Sequence, residues 1–313
     1  MLTRRTIMTH SAALLTASLA GRTSAGDGSP AGMTSAGAPL RLGSVTLRVR
    51  DLNTVGRFYR DIIGLSVIEQ GARRQSLGVG STVLLELIED PAARLASRTE
   101  AGLFHTAFLL PERADLAEWL LHAADLGAPL QGASDHLVSE AVYLADPEGN
   151  GIEIYWDRPS HTWIWQSGMV DMATRRLDLQ NLARQARNRN WKGLPERTIV
   201  GHVHLQVGDL GQAEDFYSGL LGLDVVHRVP GASFFSSGGY HHHIAGNVWN
   251  SAGAGRTQPG ATGLLAFEVV PADAQVQAGL LHRAERLTPR EHARLVEVAD
   301  PWGITLVLRA PFS

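Results

Sequence analysis

The 313-residue chain contains no cysteine. That absence removes disulfides, thiolate metal sites and cysteine nucleophiles together. Any metal must then be held by His, Asp or Glu, a donor set that suits zinc, iron or manganese rather than copper(I) or iron–sulfur chemistry. Charge of one sign is lacking too. Lys plus Arg is 28 against 31 for Asp plus Glu, a formal net charge of −3, and no basic tract stands out. The chain therefore has no field for gripping nucleic acid. It has no Walker-type phosphate loop, no dinucleotide glycine fingerprint and no serine nucleophile elbow. No apolar run is long enough to span a bilayer. What remains is a globular composition, 44% hydrophobic and 19% charged, long enough for about two domains.

The first residues read as an address. Arg4-Arg5 precede a mildly apolar run from Met8 to Ala20, and Thr23-Ser24-Ala25 offers small residues for cleavage. This is the layout of a twin-arginine export signal, which predicts a periplasmic protein. From Gly26 to Pro39 the chain is rich in Gly, Ser, Ala, Thr and Pro, a linker. Residues 1–39 are thus expected to be signal and linker, with no membrane anchor in the mature chain.

A repeat organises the rest. Val45-Thr-Leu-Arg-Val-Arg-Asp-Leu, Phe58-Tyr59 and Gly64-Leu65 return as Val203-His-Leu-Gln-Val-Gly-Asp-Leu, Phe216-Tyr217 and Gly222-Leu223, each element 158 residues later. Each copy opens with alternating apolar residues, a half-buried strand. Asp51 and Asp209 then cap a helix that ends at glycine. Short β-rich runs follow, at Leu65–Glu69, Ser76–Val79 and Val83–Ile88 in the first copy, so the unit is βαβββ. Two less similar units run from Gly102 to Trp156 and from Gly263 to Leu308. They share an Asp-Pro-x-Gly turn at Asp146 and at Asp300. The expected organisation is two pairs of units, 40–158 and 199–313, joined by a connector over 159–198. Trp163, Trp165 and Trp191 of the connector read as packing anchors between halves, and an amphipathic helix is expected near Arg175–Arg187.

Paired βαβββ units with these motifs resemble the vicinal oxygen chelate superfamily of glyoxalases, resistance proteins and extradiol dioxygenases. Gly102-Leu-Phe-His-Thr-Ala-Phe-Leu-Leu-Pro, Gly132-Ala-Ser-Asp-His, Asp146-Pro-Glu-Gly-Asn-Gly-Ile-Glu-Ile-Tyr, Gly201-His-Val-His-Leu and Gly239-Tyr-His-His-His resemble the two-domain bacterial catechol 2,3-dioxygenase-like subgroup. The resemblance covers about residues 40–310. It implies an α+β fold of four βαβββ units paired into two open β-cups.

In this superfamily the metal sits in a cup formed by two units, held from their first and last strands. The first-strand ligand lies seven residues before the Asp of the Asp-Leu turn. Counting back from Asp209 gives His202, whereas counting back from Asp51 gives Ser44. Unit two offers His105 on its first strand and Glu153 seven residues after Asp146. Unit four has Leu265-Ala266 and Val307 at the matching places. Ligand types therefore concentrate in units two and three as His105, Glu153 and His202. Two imidazoles and one carboxylate with an open face is the donor set of non-haem Fe(II) oxygenases. Fe(II) is the expected metal, with Mn(II), Zn(II) or Ni(II) as alternatives. The clustering predicts that units two and three close one cup, and one and four the other. Sequential pairing would instead leave His202 apart from His105 and Glu153. His204 shares a face with His202, in a supporting or a core role. One of His241, His242 and His243 is expected to face the cup, as fourth ligand or proton donor, and the spacing leaves open which. Glu86 is expected to be structural.

The segment His136, Val142-Tyr143, Asp146-Pro147-Glu148-Gly149, Glu153 closely resembles the extradiol ring-cleavage signature, with Ser134 departing from its usual first residue. The resemblance implies that Tyr143 hydrogen-bonds substrate and that His136 works as acid–base near O₂. The expected function is metal-dependent extradiol cleavage of a catechol-type aromatic with O₂, by a homo-oligomeric enzyme. The alternatives are a glyoxalase-like isomerase or lyase, which a fourth protein ligand would favour, and a non-catalytic small-molecule binding or resistance protein.

Overall fold

The computed structural model describes residues 35–287, 289–292 and 295–310. The expected export signal and most of the linker lie outside these described residues.

Four βαβββ units follow one another. The first is β1 (Leu40–Val49), α1 (Leu52–Phe58), β2 (Ser66–Gln70), β3 (Arg74–Val79) and β4 (Thr82–Glu89). The second is β5 (Gly102–Leu109), α2 (Arg113–Asp125), β6 (Gly132–Asp135), β7 (Ser139–Ala145) and β8 (Gly151–Asp157). The connector contributes β9 (Trp165–Gln166), β10 (Met169–Val170), β11 (Arg175–Arg176) and α3 (Leu179–Ala183). The third unit is β12 (Ile199–Gln206), α4 (Leu210–Leu221), β13 (Asp224–Val229), β14 (Ala232–Ser236) and β15 (Ile244–Asn247). The fourth is β16 (Gly263–Pro271), α5 (Ala274–Ala284), β17 (Arg290–His292), β18 (Leu295–Ala299) and β19 (Thr305–Leu308).

Helix starts follow the capping chemistry of the sequence. Asp51 accepts the Thr54 N–H and Asp209 accepts the Gln212 N–H, while α4 closes on Gly222 at φ 68°. The Asp-Pro-x-Gly turns are built alike. Asp146 Oδ1 accepts the N–H of Glu148 and of Asn150, and Asp300 Oδ1 accepts those of Trp302 and Ile304. The repeated Phe-Tyr pair reaches these same carboxylates. Tyr217 donates to Asp300 at 2.9 Å, and Tyr59 lies at 3.5 Å from Asp146.

The α+β fold has two curled sheets, and they cross the halves of the sequence. One runs β17-β18-β19-β16-β1-β4-β3-β2, from units four and one. The other runs β11-β6-β7-β8-β5-β12-β15-β14-β13, from units two and three with β11 of the connector at one edge. Each sheet closes through its first strands, with β1 antiparallel to β16 and β5 antiparallel to β12. Ligand clustering in the sequence pointed to this crossed pairing. Segments 40–158 and 199–313 thus each give one unit to each sheet. The main apolar core lies between the sheets and the helices; Trp119, Phe108, Tyr217 and Phe267 are among its fully buried side chains.

Both first strands carry a bulge at the same place in the repeat. In β12 the register slips between Val200 and His202, leaving Gly201 as the extra residue, and in β1 it slips between Leu42 and Val45, around Gly43. A bulge bends a strand and re-aims the side chain beside it. In unit three that side chain is His202. In unit one it is Ser44, whose N–H goes to Glu268.

The connector departs from expectation. Within the expected helix only Leu179–Ala183 is α-helical, and Arg175–Arg176 pair instead with Asp135 and Ser134 of β6. Arg187, at the expected helix end, is drawn to the acidic face of α2, where it meets Glu112, Asp115 and Glu118. Tertiary pairing overrides the local helical pattern. Of the connector tryptophans expected to anchor the halves to each other, Trp163 does so. Trp163 packs with Val138, Val170, Val226 and Tyr240, with Trp165 at the edge of that cluster. Trp191 packs on the main core and stacks on His122.

Candidate metal centre

Three adjacent strands at the middle of the nine-stranded sheet carry the site. Glu153 stands on β8, His105 on β5 and His202 on β12. Strand β8 runs parallel to β5 with Glu153 beside Ala107, and across β5 and β12 His105 lies opposite His204. Alternation along the strands and the bulge at Gly201 then bring three donor atoms together. His105 Nε2 lies 3.0 Å from Glu153 Oε2, His202 Nε2 lies 3.3 Å from it, and the two imidazole nitrogens are 3.3 Å apart. All three residues are buried.

This triangle fits a metal ion. Ligand atoms about 2.1 Å from a metal and at right angles to one another lie about 3.0 Å apart. The donor set fits as well. Burial pulls His202 down to about 4 against the opposing pull of Glu153, so its imidazole is neutral, the form that ligates. Burial pushes the Glu153 carboxyl up, but the two imidazoles outweigh it and hold Glu153 well below the usual carboxylate range. Two imidazole nitrogens and one carboxylate oxygen on one side of an ion leave its other face for exogenous ligands. Among the described residues this is the one cluster of three such side chains close enough to hold a metal.

The cluster lies in the wall of a cavity of about 600 Å³. Phe104, Phe234 and Trp249 give it aromatic walls, and Met172 with Ala173 of the connector closes one side. The signature residues stand beside the metal centre. Tyr143 on β7 lies directly across from Glu153, and its hydroxyl is 2.6 Å from His136 Nε2. His136 Nδ1 is 2.9 Å from the Ala173 carbonyl, which can only accept. Nδ1 therefore carries the proton, and in the neutral ring Nε2 accepts from the tyrosine. Burial and the nearby Glu153 charge push the Tyr143 hydroxyl well above its ordinary value, so it stays protonated.

The remaining sequence candidates separate cleanly. His204 lines the cavity but takes the Asn247 amide on Nε2 at 3.0 Å, and lies outside the donor triangle. Of the histidine run, only His242 lines the cavity, with its ring centroid 4.1 Å from that of His202. His241 turns away to Asp157, 2.7 Å from Nε2, and His243 accepts the Ser237 N–H on Nδ1. None of the three joins the donor triangle. Glu86 is tied to Arg74 and Ser76 in the other sheet, a structural place. Sequence reasoning missed Asp157, Tyr240, Tyr155 and Gly201. For Gly201 the signal was available, because Gly43 precedes Ser44 at the same point of the repeat.

Comparison with known proteins agrees with this geometry. A family model described as the Glyoxalase/Bleomycin resistance protein/Dioxygenase superfamily matches residues 41–154 and 199–308. The chain is 41% identical over 243 residues to a Bacillus subtilis protein named catechol-2,3-dioxygenase, covering 76% of this chain and 85% of that one. It is 30% identical over 120 residues to biphenyl-2,3-diol 1,2-dioxygenase 3 of Rhodococcus globerulus, covering 37% of this chain and 63% of that one. Among solved structures, a putative dioxygenase from Bacillus subtilis matches with a TM-score of 0.59 at 16% identity, covering 87% of this chain and 85% of that one. Glyoxalase I from Zea mays matches at 0.53 and 14% identity, covering 88% and 93%. At such identities these two structures speak for the fold alone.

Proposed function

This chain belongs to the glyoxalase/bleomycin resistance protein/dioxygenase superfamily, and from that premise we propose that it is an extradiol dioxygenase that opens a catechol-type ring with O₂. The observation that carries the reading is the buried His105–Glu153–His202 triangle with the Tyr143–His136 pair beside it, in one cavity. The 41% relative named catechol-2,3-dioxygenase supports it. Fe(II) held by the three side chains would supply Lewis acidity and a path for electrons from ring to O₂. The protein's own residues do the rest. Phe104, Phe234 and Trp249 hold a flat ring and exclude water. Tyr143, kept protonated, gives a hydrogen bond to whatever oxygen displaces His136 as its acceptor. His136 Nε2, freed by that exchange, can take or return a proton with Nδ1 still anchored on Ala173. In the overall reaction both oxygen atoms of O₂ enter the product and the ring bond next to the diol breaks.

A donor set of three among the described residues weighs against the glyoxalase-like lyase, for which a fourth ligand was the discriminator. The test is anaerobic loading with Fe(II), then catechol and air, watching for the coloured ring-fission product. Product that disappears in Glu153→Ala and His105→Ala supports the reading. Tight stoichiometric metal without product turns it toward a lyase, and no metal binding turns it toward a binding protein. The twin-arginine layout supports export to the periplasm as a further part of the proposal. Fractionation of cells expressing the full chain, against one with Arg4 and Arg5 replaced by Lys, tests it.

A further inference from the structure

A buried chain of hydrogen bonds runs from the cavity wall at His242 into the protein. His242 Nδ1 lies 2.8 Å from His241 Nδ1, His241 Nε2 lies 2.7 Å from Asp157 Oδ1, and Tyr240 donates to Asp157 Oδ2 at 2.8 Å. The Tyr155 and Tyr240 hydroxyls are 2.8 Å apart. Burial pushes both tyrosines well above their ordinary value, so both stay protonated. Tyr240 spends its proton on Asp157, so Tyr155 donates to Tyr240. His241 is fully buried, its ring 4.1 Å from that of Tyr240 and 5.2 Å from that of Trp163.

The polarity of this chain is fixed at one end. An ionised carboxylate only accepts, so His241 Nε2 must donate to Asp157. A neutral imidazole that donates from one nitrogen offers a lone pair on the other. The contact between the two Nδ1 atoms then needs its proton on His242. That leaves His242 Nε2 without a proton, as an acceptor. It makes no hydrogen bond among the described residues, is not sealed off, and belongs to a ring that lines the cavity beside His202.

We propose that Asp157, acting through His241, is a positioning residue that locks His242 as the Nδ1–H tautomer and turns an acceptor nitrogen toward a substrate hydroxyl. The identity of that hydroxyl, one of the two of a catechol, rests on the ring-cleavage reading; the tautomer does not. A diol bound between Tyr143 and His242 meets a donor on one side and an acceptor on the other, which orients it. Three orienting groups in series, each fixing the tautomer of the next, is the logic by which a carboxylate serves catalytic imidazoles elsewhere. Asp157 closes β8 four residues after Glu153, so one strand carries a ligand and the anchor of this chain.

The experiment uses the Zn(II)-loaded full protein labelled with ¹⁵N-histidine. The His242 signals are assigned from their loss in His242→Gln. Wild type should show the proton on His242 Nδ1. Asp157→Asn should redistribute it, because an amide no longer dictates a donor at His241, while Asp157→Glu should keep it. With Fe(II) and catechol, Asp157→Asn should lower kcat about tenfold or more at unchanged metal content and with KM within about twofold. His241→Asn, which can still donate to Asp157 without relaying the constraint, should match Asp157→Asn if the latter folds poorly. A wild-type His242 protonated on Nε2 overturns the proposal. So does an Asp157→Asn protein, or His241→Asn in its place, in which either the tautomer or kcat is unchanged. Wild-type protein that turns over no catechol would sink the ring-cleavage reading, and the tautomer measurement would still decide the positioning role.

Discussion

Gly201 is the residue whose replacement tests the site most sharply. A Cβ at this position would fall well inside van der Waals contact of the Tyr155 hydroxyl, 2.8 Å from its Cζ and 3.0 Å from Leu109 Cβ. Ordinary carbon contacts lie about 3.5–4.0 Å apart, so the tyrosine must retreat by about 1 Å. It has nowhere to go, being fully buried and hydrogen-bonded at its tip to Tyr240. Overpacking of this kind costs about 1–3 kcal/mol, and the broken hydrogen bond adds about 1 kcal/mol. Gly201→Ala should therefore cost about 3 kcal/mol, which in a chain of this size lowers Tm by roughly 5 °C. It should also loosen the metal, because Gly201 is the bulge that aims His202 and the Tyr155 ring lies 4.9 Å from that imidazole. Calorimetry of the metal-free protein and equilibrium dialysis with Zn(II) measure the two effects. Gly43→Ala is the control from the same point of the repeat. Its Cβ would meet Glu268 Oε2 at 2.5 Å, so it should destabilise the other sheet and leave metal affinity unchanged. A Gly201→Ala protein that melts within about 2 °C of wild type and binds metal equally well would refute the argument.

Other perturbations separate the parts of the site. Glu153→Gln keeps the shape and removes the only negative ligand, so metal affinity should fall by about a hundredfold or more in the same dialysis. Tyr143→Phe removes a hydroxyl whose partner is His136 Nε2; metal content should be unchanged while kcat on catechol falls about a hundredfold. Burial lowers His202 to about 4 and His243 to about 3, and holds His204 and His242 well below their ordinary value. The stability these four supply is complete above pH 6.5 and is lost as pH falls through the folded values. Asp146 and Asp300, raised by burial to about 6, act in the opposite sense. Their contribution is complete below pH 3.8 and is lost as pH rises through 6. Four depressed histidines outweigh two raised aspartates, so the Tm of the metal-free protein should hold above pH 6.5 and decline steadily as pH falls from 6.5 toward 4. A Tm that climbs from pH 7 to 5 would show that the two aspartates outweigh the four histidines.

What sequence reading placed in the cluster and what it left open or missed have one physical cause. His202 was found by counting seven residues back from Asp209, and Glu153 by counting seven on from Asp146. Both counts link a strand to a carboxylate that accepts backbone N–H groups, two at Asp146 and one at Asp209, so their length is fixed by local hydrogen bonding. Crossed pairing followed because a metal site needs its ligands in one sheet. The His241–His243 run has no such ruler. It lies between β14 and β15, just after Gly238 and Gly239 at φ 67° and 75°, where the period of two that orders strand residues is broken. Which ring faces the cavity is then decided by Asp157, more than eighty positions away in the chain. The connector helix failed likewise, because Arg187 pairs with the acidic face of α2 rather than completing a local helix. Ligands set by strand and turn are legible from one sequence. The groups that orient those around them, held by contacts between distant segments, are not, and Gly201 lies between the two classes. Its bulge is invisible in unit three alone, but it shows once Gly43 is placed beside it in the repeat.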